Sequence, residues 1–516
     1  VPGERATATK RRASSLLPFV VATLGAIAMA LAFPKANAPL LAPLGAAAVF
    51  WAWFGVSPQR AFWVGWLAGS VFFSMTFWWF SETAGALIAP FGFILPIGPA
   101  VAEGFFGFAL VGALVAYGAR ALGGRDRLAR AVVPLGAAAM FAFGEWLRSE
   151  GLAEFGLPFG GLGYTQAATP LAPLGAFVGI YGVTFFVCML GAYAAYAVRL
   201  RSVRGSGVDT ACAALGLVTA VALAWLAWPA RTLAAPTLPV AAIQGNIAQS
   251  LKATPAAFYE AISRYESMTA VAQASRPAVV LWPETVILTP LNLQLDLRAS
   301  FARLAKSVRS EVVVGTLLVD ATGVYNVLYF FRPDGGIDEI YRKRQLVPFA
   351  EHLPFGPALS WIPWTHEIAH YGVGTSEGVL TIAGYRFAPI ICWESAFSEL
   401  VRRDVTRGGA TALLIATDDA WFGTTAGPYQ HAQIAQMRAL ETGRWIVRAA
   451  STGVSGIISP DGRYTTHSPI GERATITGEI GPPIDTIYDA LGPGAVAAAL
   501  ALIYASVVAL GKRRSS

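Results

Sequence analysis

Apolar runs of roughly membrane-spanning length fill much of the first half of the chain and return at its end. They fall near residues 15–33, 39–56, 61–81, 91–119, 131–147, 170–198, 210–229 and 491–511. A helix needs roughly 20 mostly apolar residues to cross a bilayer, so the pattern predicts about eight spans. The stretch from Ala84 to Gly118 is interrupted by Pro90, Pro96 and Pro99 and reads as a re-entrant or interfacial start before a span. Beyond residue 230 the pattern changes. Strand-like runs (PVAAIQGNI, AVVLWPET, EVVVGTLLV) alternate with helical ones near 255–274 and 293–307. Four further runs, NVLYFF, FAPIICWE, ALLIATDD and WIVRAASTGVSGIISPDG, supply strands for two packed sheets with outer helices. The expected organisation is a transmembrane helical domain over residues 1–230 with about seven spans, an α/β domain over 231–490, and a last span with a basic tail over 491–516.

Composition agrees. Of 516 residues, 55% are hydrophobic and 13% charged, too apolar a balance for a soluble protein of this length. The formal charge of +7 lies largely beside the apolar runs: Arg5, Lys10, Arg11 and Arg12 precede the first, and Lys512, Arg513 and Arg514 follow the last. That placement suits anionic lipid headgroups and argues against a nucleic-acid partner. Lys and Arg accumulate in short cytoplasmic loops. Arg60, the group Arg120, Arg125, Arg127 and Arg130, and the group Arg199, Arg201 and Arg204 fall in alternate loops on the side of both tails, while the opposite loops hold little more than Lys35 and Arg148. An even span count places both termini in the cytoplasm and residues 231–490 outside it, in the periplasm if the cell has two membranes. The first run lacks a convincing A-x-A-like cleavage site and reads as a retained anchor.

Of the three cysteines, Cys188 and Cys212 lie in apolar runs, where a thiol is usually an inert small hydrophobe. Cys392 alone belongs to the polar part, which excludes a disulfide framework or multi-cysteine metal site there. Two other strand ends also present polar groups in apolar surroundings: Glu284 in LWPET and Lys343 in YRKRQLVPFAEH, beside Cys392 in IICWES. A carboxylate can take the thiol proton, the sulfur can attack an acyl carbon, and an ammonium can stabilise the oxyanion. Taken singly, each residue has a plainer reading: a buried core thiol, a helix-start acid, a solvated strand-end cation. Among the five histidines, His366 and His370 in HEIAH match the H-E-x-x-H pattern, but its surroundings, LPFGPALSWIPWTHEIAHYGVG, are rich in Pro, Gly and aromatics. That context suits a lid dipping into the lipid surface through Trp361 and Trp364 better than a zinc helix, so neither a metal nor another cofactor is expected.

The strings around the three residues resemble those of the nitrilase superfamily, in its order Glu, Lys, Cys. More narrowly, QGNIAQSLK, WPET, KRQLVPFAEHLPF, ICWES, DAWFG and GPYQHAQIAQMRALETGR, with GEWLR and FGLPFGGLGYTQ in the apolar half, resemble bacterial apolipoprotein N-acyltransferases over nearly the whole chain. The resemblance implies an αββα sandwich on an eight-helix base in the inner membrane. It also implies transfer of an acyl chain from a phospholipid, typically phosphatidylethanolamine, through a cysteine thioester to the α-amine of a diacylglyceryl-modified lipoprotein cysteine. The implied roles are general base for Glu284, oxyanion stabiliser for Lys343 and nucleophile for Cys392. Glu351 and Glu394 would be supporting carboxylates, Trp393 would occupy the position usually held by an aromatic, and Asn326 and Glu441 would hold the site together. Two departures stand out: Ala253 where the family often has Trp, and Asp418 where Asn often precedes Asp419. A monomer is expected. Two competing readings are a membrane-tethered amidase with the same three residues, against which the elaborate apolar half speaks, and a transporter or receptor, against which stand the few charges within the spans, chiefly Glu103 and Glu145.

Overall fold

The computed structural model describes residues 2–87, 96–122, 126–152, 156–200, 206–227, 237–247, 255–359, 361, 366 and 368–515. Two compact units emerge: one of Val1–Leu152, Gly156–Trp228 and Pro493–Ser516, the other of Ala153–Phe155 and Pro229–Gly492.

The first unit is helical. Its elements are α1 (Pro2–Leu31), α2 (Leu41–Phe54), α3 (Pro58–Thr76), α4 (Phe80–Leu87), α5 (Ile97–Gly104), α6 (Leu110–Leu122), α7 (Arg127–Trp146), α8 (Gly175–Arg199) and α9 (Ser206–Ala227). Small residues let these helices approach closely. A Cβ on Gly25 would lie 2.6 Å from the Gly45 carbonyl oxygen, so α1 and α2 pack backbone to backbone. Among the described residues five helices are long and apolar enough to cross a membrane: Ile97–Leu122, Arg127–Gly151, Ala172–Arg199, Gly207–Ala227 and Ile487–Arg513. They coincide with five of the eight expected runs. The apolar helices Ser15–Leu31 and Leu41–Phe54 are shorter, and α3 opens on the polar turn Pro58-Gln59-Arg60. Pro90 lies outside the described residues.

Arg148, expected in a loop, is instead buried in the π-helical turn Leu147–Gly151. Its Nη1 donates to the carbonyls of Leu157 and Phe159 at 2.7 and 3.0 Å and to Glu103 Oε2 at 3.3 Å. Glu145 accepts the Leu162 N–H at 2.8 Å and the Thr184 hydroxyl at 2.6 Å. These buried charges supply the partners that the irregular backbone of GLPFGGLGYTQ lacks.

The second unit is a sandwich of two six-stranded sheets. The first runs in the order β12 (Ala474–Ile480), β1 (Leu238–Gln244), β2 (Val279–Leu281), β3 (Glu311–Asp320), β4 (Gly323–Phe331), β5 (Ile337–Arg342). The second runs β11 (Tyr464–His467), β10 (Gly456–Ile458), β9 (Trp445–Ala450), β8 (Ala412–Thr417), β7 (Tyr385–Ile391), β6 (Leu380–Ile382). Each sheet has a parallel centre, β1-β2-β3 in one and β7-β8-β9 in the other, with antiparallel strands outside it.

Strand alternation explains the layers. Val240 and Ala242 of β1 join Leu281, Val313, Ile391, Leu414 and Val447 in the core between the sheets. Ala241 and Ile243 turn outward against α10 (Pro255–Ala272) and α11 (Leu295–Val308) through Tyr265 and Phe301. On the other side Ile390, Leu413 and Ile415 meet Val401 and Val405 of α12 (Ser398–Thr406) and Ala435 and Ala439 of α13 (Gly427–Thr442). The result is the expected αββα arrangement. The last helix, α14 (Ile487–Ser515), bends at Gly492, whose φ of 69° suits glycine.

Candidate active site

Glu284, Lys343 and Cys392 each leave the C-terminal end of a strand, following β2, β5 and β7. Glu284 opens the turn that follows the extended Trp282-Pro283 at the end of β2. Trp282 is buried and donates its indole N–H to Thr269 Oγ1 at 2.9 Å. Gly315 on β3 lets this turn lie flat, because a Cβ there would stand 2.1 Å from the Pro283 carbonyl oxygen and 2.7 Å from Glu284 Cα.

The Lys343 ammonium is 1% exposed and donates to Glu284 Oε1 and Glu351 Oε1, both at 2.9 Å. Asn326 Nδ2 links the same two oxygens at 2.8 and 3.0 Å. Glu284 Oε2 accepts the Asp418 N–H at 2.9 Å, and Glu351 Oε2 the Val347 N–H at 2.8 Å. One ammonium therefore serves two carboxylates. Burial works against the Lys343 charge, but Glu284 and Glu351 outweigh it and hold the group well above the usual lysine range. Glu284 Oε2 keeps a lone pair beyond these bonds, and Lys343 a third N–H.

Cys392 opens the 3₁₀ turn Cys392–Ala396 with φ of 50°, a left-handed conformation that costs a non-glycine residue about 1–3 kcal/mol. The turn is held by Glu394, whose buried carboxylate accepts the N–H groups of Ile391 and Arg344, both at 2.6 Å, and the Tyr341 hydroxyl at 2.8 Å. Glu394 thus ties the end of β7 to the end of β5. It touches neither Glu284 nor Lys343 through any of these bonds, so it supports the backbone that carries the reactive groups. Burial pushes its carboxyl up, with Arg344 and the backbone N–H groups opposing.

Burial and then the Glu284 charge push the Cys392 thiol well up; Lys343 and the Thr417 hydroxyl pull the other way and lose. A nucleophile held in this state would need a proton acceptor at the moment of attack.

Trp393 is buried and meets Phe397 edge to face at 6.2 Å. Asn326 bridges the cluster, while the Glu441 carboxylate accepts the Ser398 hydroxyl at 2.8 Å and pairs with Arg438 at 3.1 Å. Both members of that pair are buried, so the plainer reading of a surface pair fails. Trp361 is exposed, while Trp364 and Ala253 lie outside the described residues. None of the described residues of His366–His370 is α-helical, so the two histidines are not stacked one turn apart.

The sequence strings gave no sign of a second buried network beneath Cys392. His431 on α13 places Nδ1 2.9 Å from Asp419 Oδ1 and Nε2 2.9 Å from Ser395 Oγ and 3.2 Å from the Cys392 carbonyl oxygen. Arg448 on β9 donates to Asp419 Oδ2 at 2.9 Å. Four elements contribute, so no single motif could have revealed the contact.

Residues 239–483 match the carbon-nitrogen hydrolase family model, and residues 25–193 match the apolipoprotein N-acyltransferase N-terminal domain. Similar curated proteins include an apolipoprotein N-acyltransferase of Methylococcus capsulatus, 33% identical over 482 residues that make up 90% of each chain. Another, from Allorhizobium ampelinum, is 31% identical, covering 86% of this chain and 84% of its own. Among solved structures, a carbon-nitrogen hydrolase superfamily protein of Xanthomonas campestris is 20% identical with a TM-score of 0.37, covering 53% of this chain and 96% of its own.

Proposed function

The chain belongs to the apolipoprotein N-acyltransferase family, and from that premise we propose that Cys392 carries a fatty acyl group from a phospholipid to the N-terminus of a lipoprotein. The enzyme is an acyltransferase. The observation that carries the catalytic assignment is the Lys343 ammonium shared at 2.9 Å by Glu284 and Glu351, in electrostatic reach of Cys392.

In the first step the Cys392 sulfur attacks the ester carbonyl of the donor while its proton passes to the open lone pair of Glu284 Oε2. The oxyanion is met by the third N–H of Lys343. The carbon–oxygen bond to glycerol breaks, Glu284 returns the proton to the leaving oxygen, and lysophospholipid departs. In the second step the α-amine of the lipoprotein cysteine attacks the thioester and gives a proton to Glu284. The carbon–sulfur bond breaks, an amide forms, and the sulfur recovers its proton. Glu351 and Asn326 hold Lys343 and Glu284 in register throughout.

The proposal includes a monomeric enzyme in the inner membrane, the polar unit on the periplasmic side, both termini in the cytoplasm, and phosphatidylethanolamine as donor. The alternation of Arg-rich and Arg-poor loops supports that orientation, and both substrates are then within reach in the outer leaflet. Residues 353–374 would form a lid whose exposed Trp361 enters the lipid surface.

Intact mass spectrometry after incubation with phospholipid alone tests the scheme. A fatty-acyl adduct is expected on the wild type and none on Cys392→Ala; wild-type protein without an adduct would defeat the scheme, and an adduct discharged only to water would favour an amidase-like hydrolase. Trp361→Ser should slow turnover of long-chain phospholipid far more than hydrolysis of a small soluble ester, and equal losses would remove the lid.

A further inference from the structure

Lys343 and Cys392 belong to different sheets: Lys343 follows β5 of the first, and Cys392 follows β7 of the second. Apolar packing between the sheets is non-directional. The register of ammonium and sulfur therefore depends on polar bonds that cross from one sheet to the other.

Arg344, the residue after Lys343, makes such bonds along the segment that begins with the nucleophile. Its N–H donates to Glu394 Oε1 at 2.6 Å, inside the turn Cys392–Ala396. Its side chain grips the same segment further on, where α12 follows that turn after Phe397 alone. Nη1 and Nη2 donate to Asp404 Oδ1 and Oδ2 at 2.8 and 2.6 Å, a two-pronged pairing that fixes direction as well as distance. The Asp404 side chain is 0% exposed and the Arg344 side chain 14%. Nε donates to the Tyr341 hydroxyl at 2.9 Å. A guanidinium nitrogen can only donate, so the Tyr341 oxygen accepts there and its proton faces the Glu394 oxygens, at 2.8 and 2.9 Å. Tyr341 itself is buried in the core between the sheets, in one cluster with Ile391 and Cys392.

We propose that Arg344 is a positioning residue: it straps the end of β5 to the nucleophile segment at Glu394 and at Asp404, and so sets the separation of the Lys343 ammonium and the Cys392 sulfur. One anchor would leave the segment free to pivot about Glu394. The second sits on a helix whose Val401 and Val405 pack against Ile390, Leu413 and Ile415 of β7 and β8, which blocks the pivot. The guanidinium is engaged with Asp404 and Tyr341, so Arg344 acts through the backbone of its neighbours and not on the substrate. The inference rests on the reading of Cys392 as nucleophile and Lys343 as its oxyanion partner.

A buried ion pair loses stability when either partner is removed, whatever its role, so the test separates stability from chemistry in the full chain in detergent micelles. Arg344→Met leaves Asp404 buried without its cation and should lower the thermal unfolding midpoint. Adding Asp404→Leu exchanges the pair for apolar groups and should return that midpoint to near wild type. Acyl-adduct formation from phospholipid should stay about 100-fold slow in the double variant, with the phospholipid concentration for half-maximal rate within about two-fold of wild type. Adduct formation that recovers together with stability overturns the proposal, since the pair is then only structural. If the double variant does not fold, Arg344→Lys decides, because it keeps the charge and loses the two-pronged pairing. Lys343 pulls the Cys392 thiol down. A sulfur that drifts from it should show a pH midpoint for iodoacetamide alkylation higher by roughly half a pH unit. An unmoved midpoint in folded Arg344→Lys overturns the proposal. Alkylation needs no acyl donor, so a raised midpoint in protein that forms no adduct upholds the strap while the acyltransferase reading fails.

Discussion

At Cys392 the charges nearby are unequal in sign and number. Lys343 supplies one positive charge, Glu284 and Glu351 two negative ones, and burial deprives all of them of water. Burial first, and then the Glu284 charge, disfavours a thiolate here, which is why the thiol stands high. Alkylation by iodoacetamide should therefore show a pH midpoint above the ordinary thiol value of about 8.5. Glu284→Gln removes a charge that raises the thiol and should lower the midpoint; Lys343→Met removes one that lowers it and should raise the midpoint. Identical midpoints in the three proteins would contradict this electrostatic account. The residues of the cluster were legible because each sits in a distinctive string. The protonation state was not, since desolvation at Cys392 depends on sheets that meet only in the folded unit.

Among the elements, β3 and α13 show what periodicity can and cannot tell. Gly315 lies in EVVVGTLLV, where a small residue in a strand signals only a close approach. The structure identifies what approaches: the turn bearing Glu284. Gly315→Ala should displace that turn and slow acyl-adduct formation about 100-fold. Glu441 and Arg438 have the spacing of a surface pair, and spacing reports which face of a helix two residues share, not whether that face is covered. On α13 it is covered. Glu441→Gln should thus lower the stability of the polar unit by roughly 3–5 kcal/mol, by leaving Arg438 buried without its carboxylate. Adduct formation per folded molecule should remain within a few-fold of wild type. Thermal unfolding measured beside adduct mass spectrometry separates the two effects, and a catalytic loss equal to that of Glu351→Gln would place Glu441 in the site.

For the whole molecule, the division into an apolar and a polar part was visible in hydropathy alone, and five of the eight expected runs carry helices long enough to cross among the described residues. An apolar run ends where hydropathy falls, whereas a helix ends at its turns, as at Pro39 before α2. Arg148 was misplaced for a related reason: its charge suggested water, yet two carbonyls and Glu103 engage its Nη1 inside the helical unit. The polar unit should also carry a signature of acid sensitivity. Asp419 has a folded value below its unfolded one of about 3.9, so the stability it contributes is present above that pH and is lost as pH falls toward the folded value. Asp419→Asn should destabilise the unit at neutral pH and flatten its loss of stability below about pH 4. A wild-type and variant pair with parallel acid profiles would deny Asp419 that part.

The high-standing thiol has one more consequence. Cysteine reacts with peroxide and disulfides mainly as its anion, which is the attacking nucleophile. Under the proposed scheme, a nucleophile that gives up its proton only when an acyl carbon is in place is stored in a form these oxidants damage slowly, while the same cysteine in an unfolded chain has no such shelter. Folding would then preserve the sulfur between turnovers as well as arm it for them.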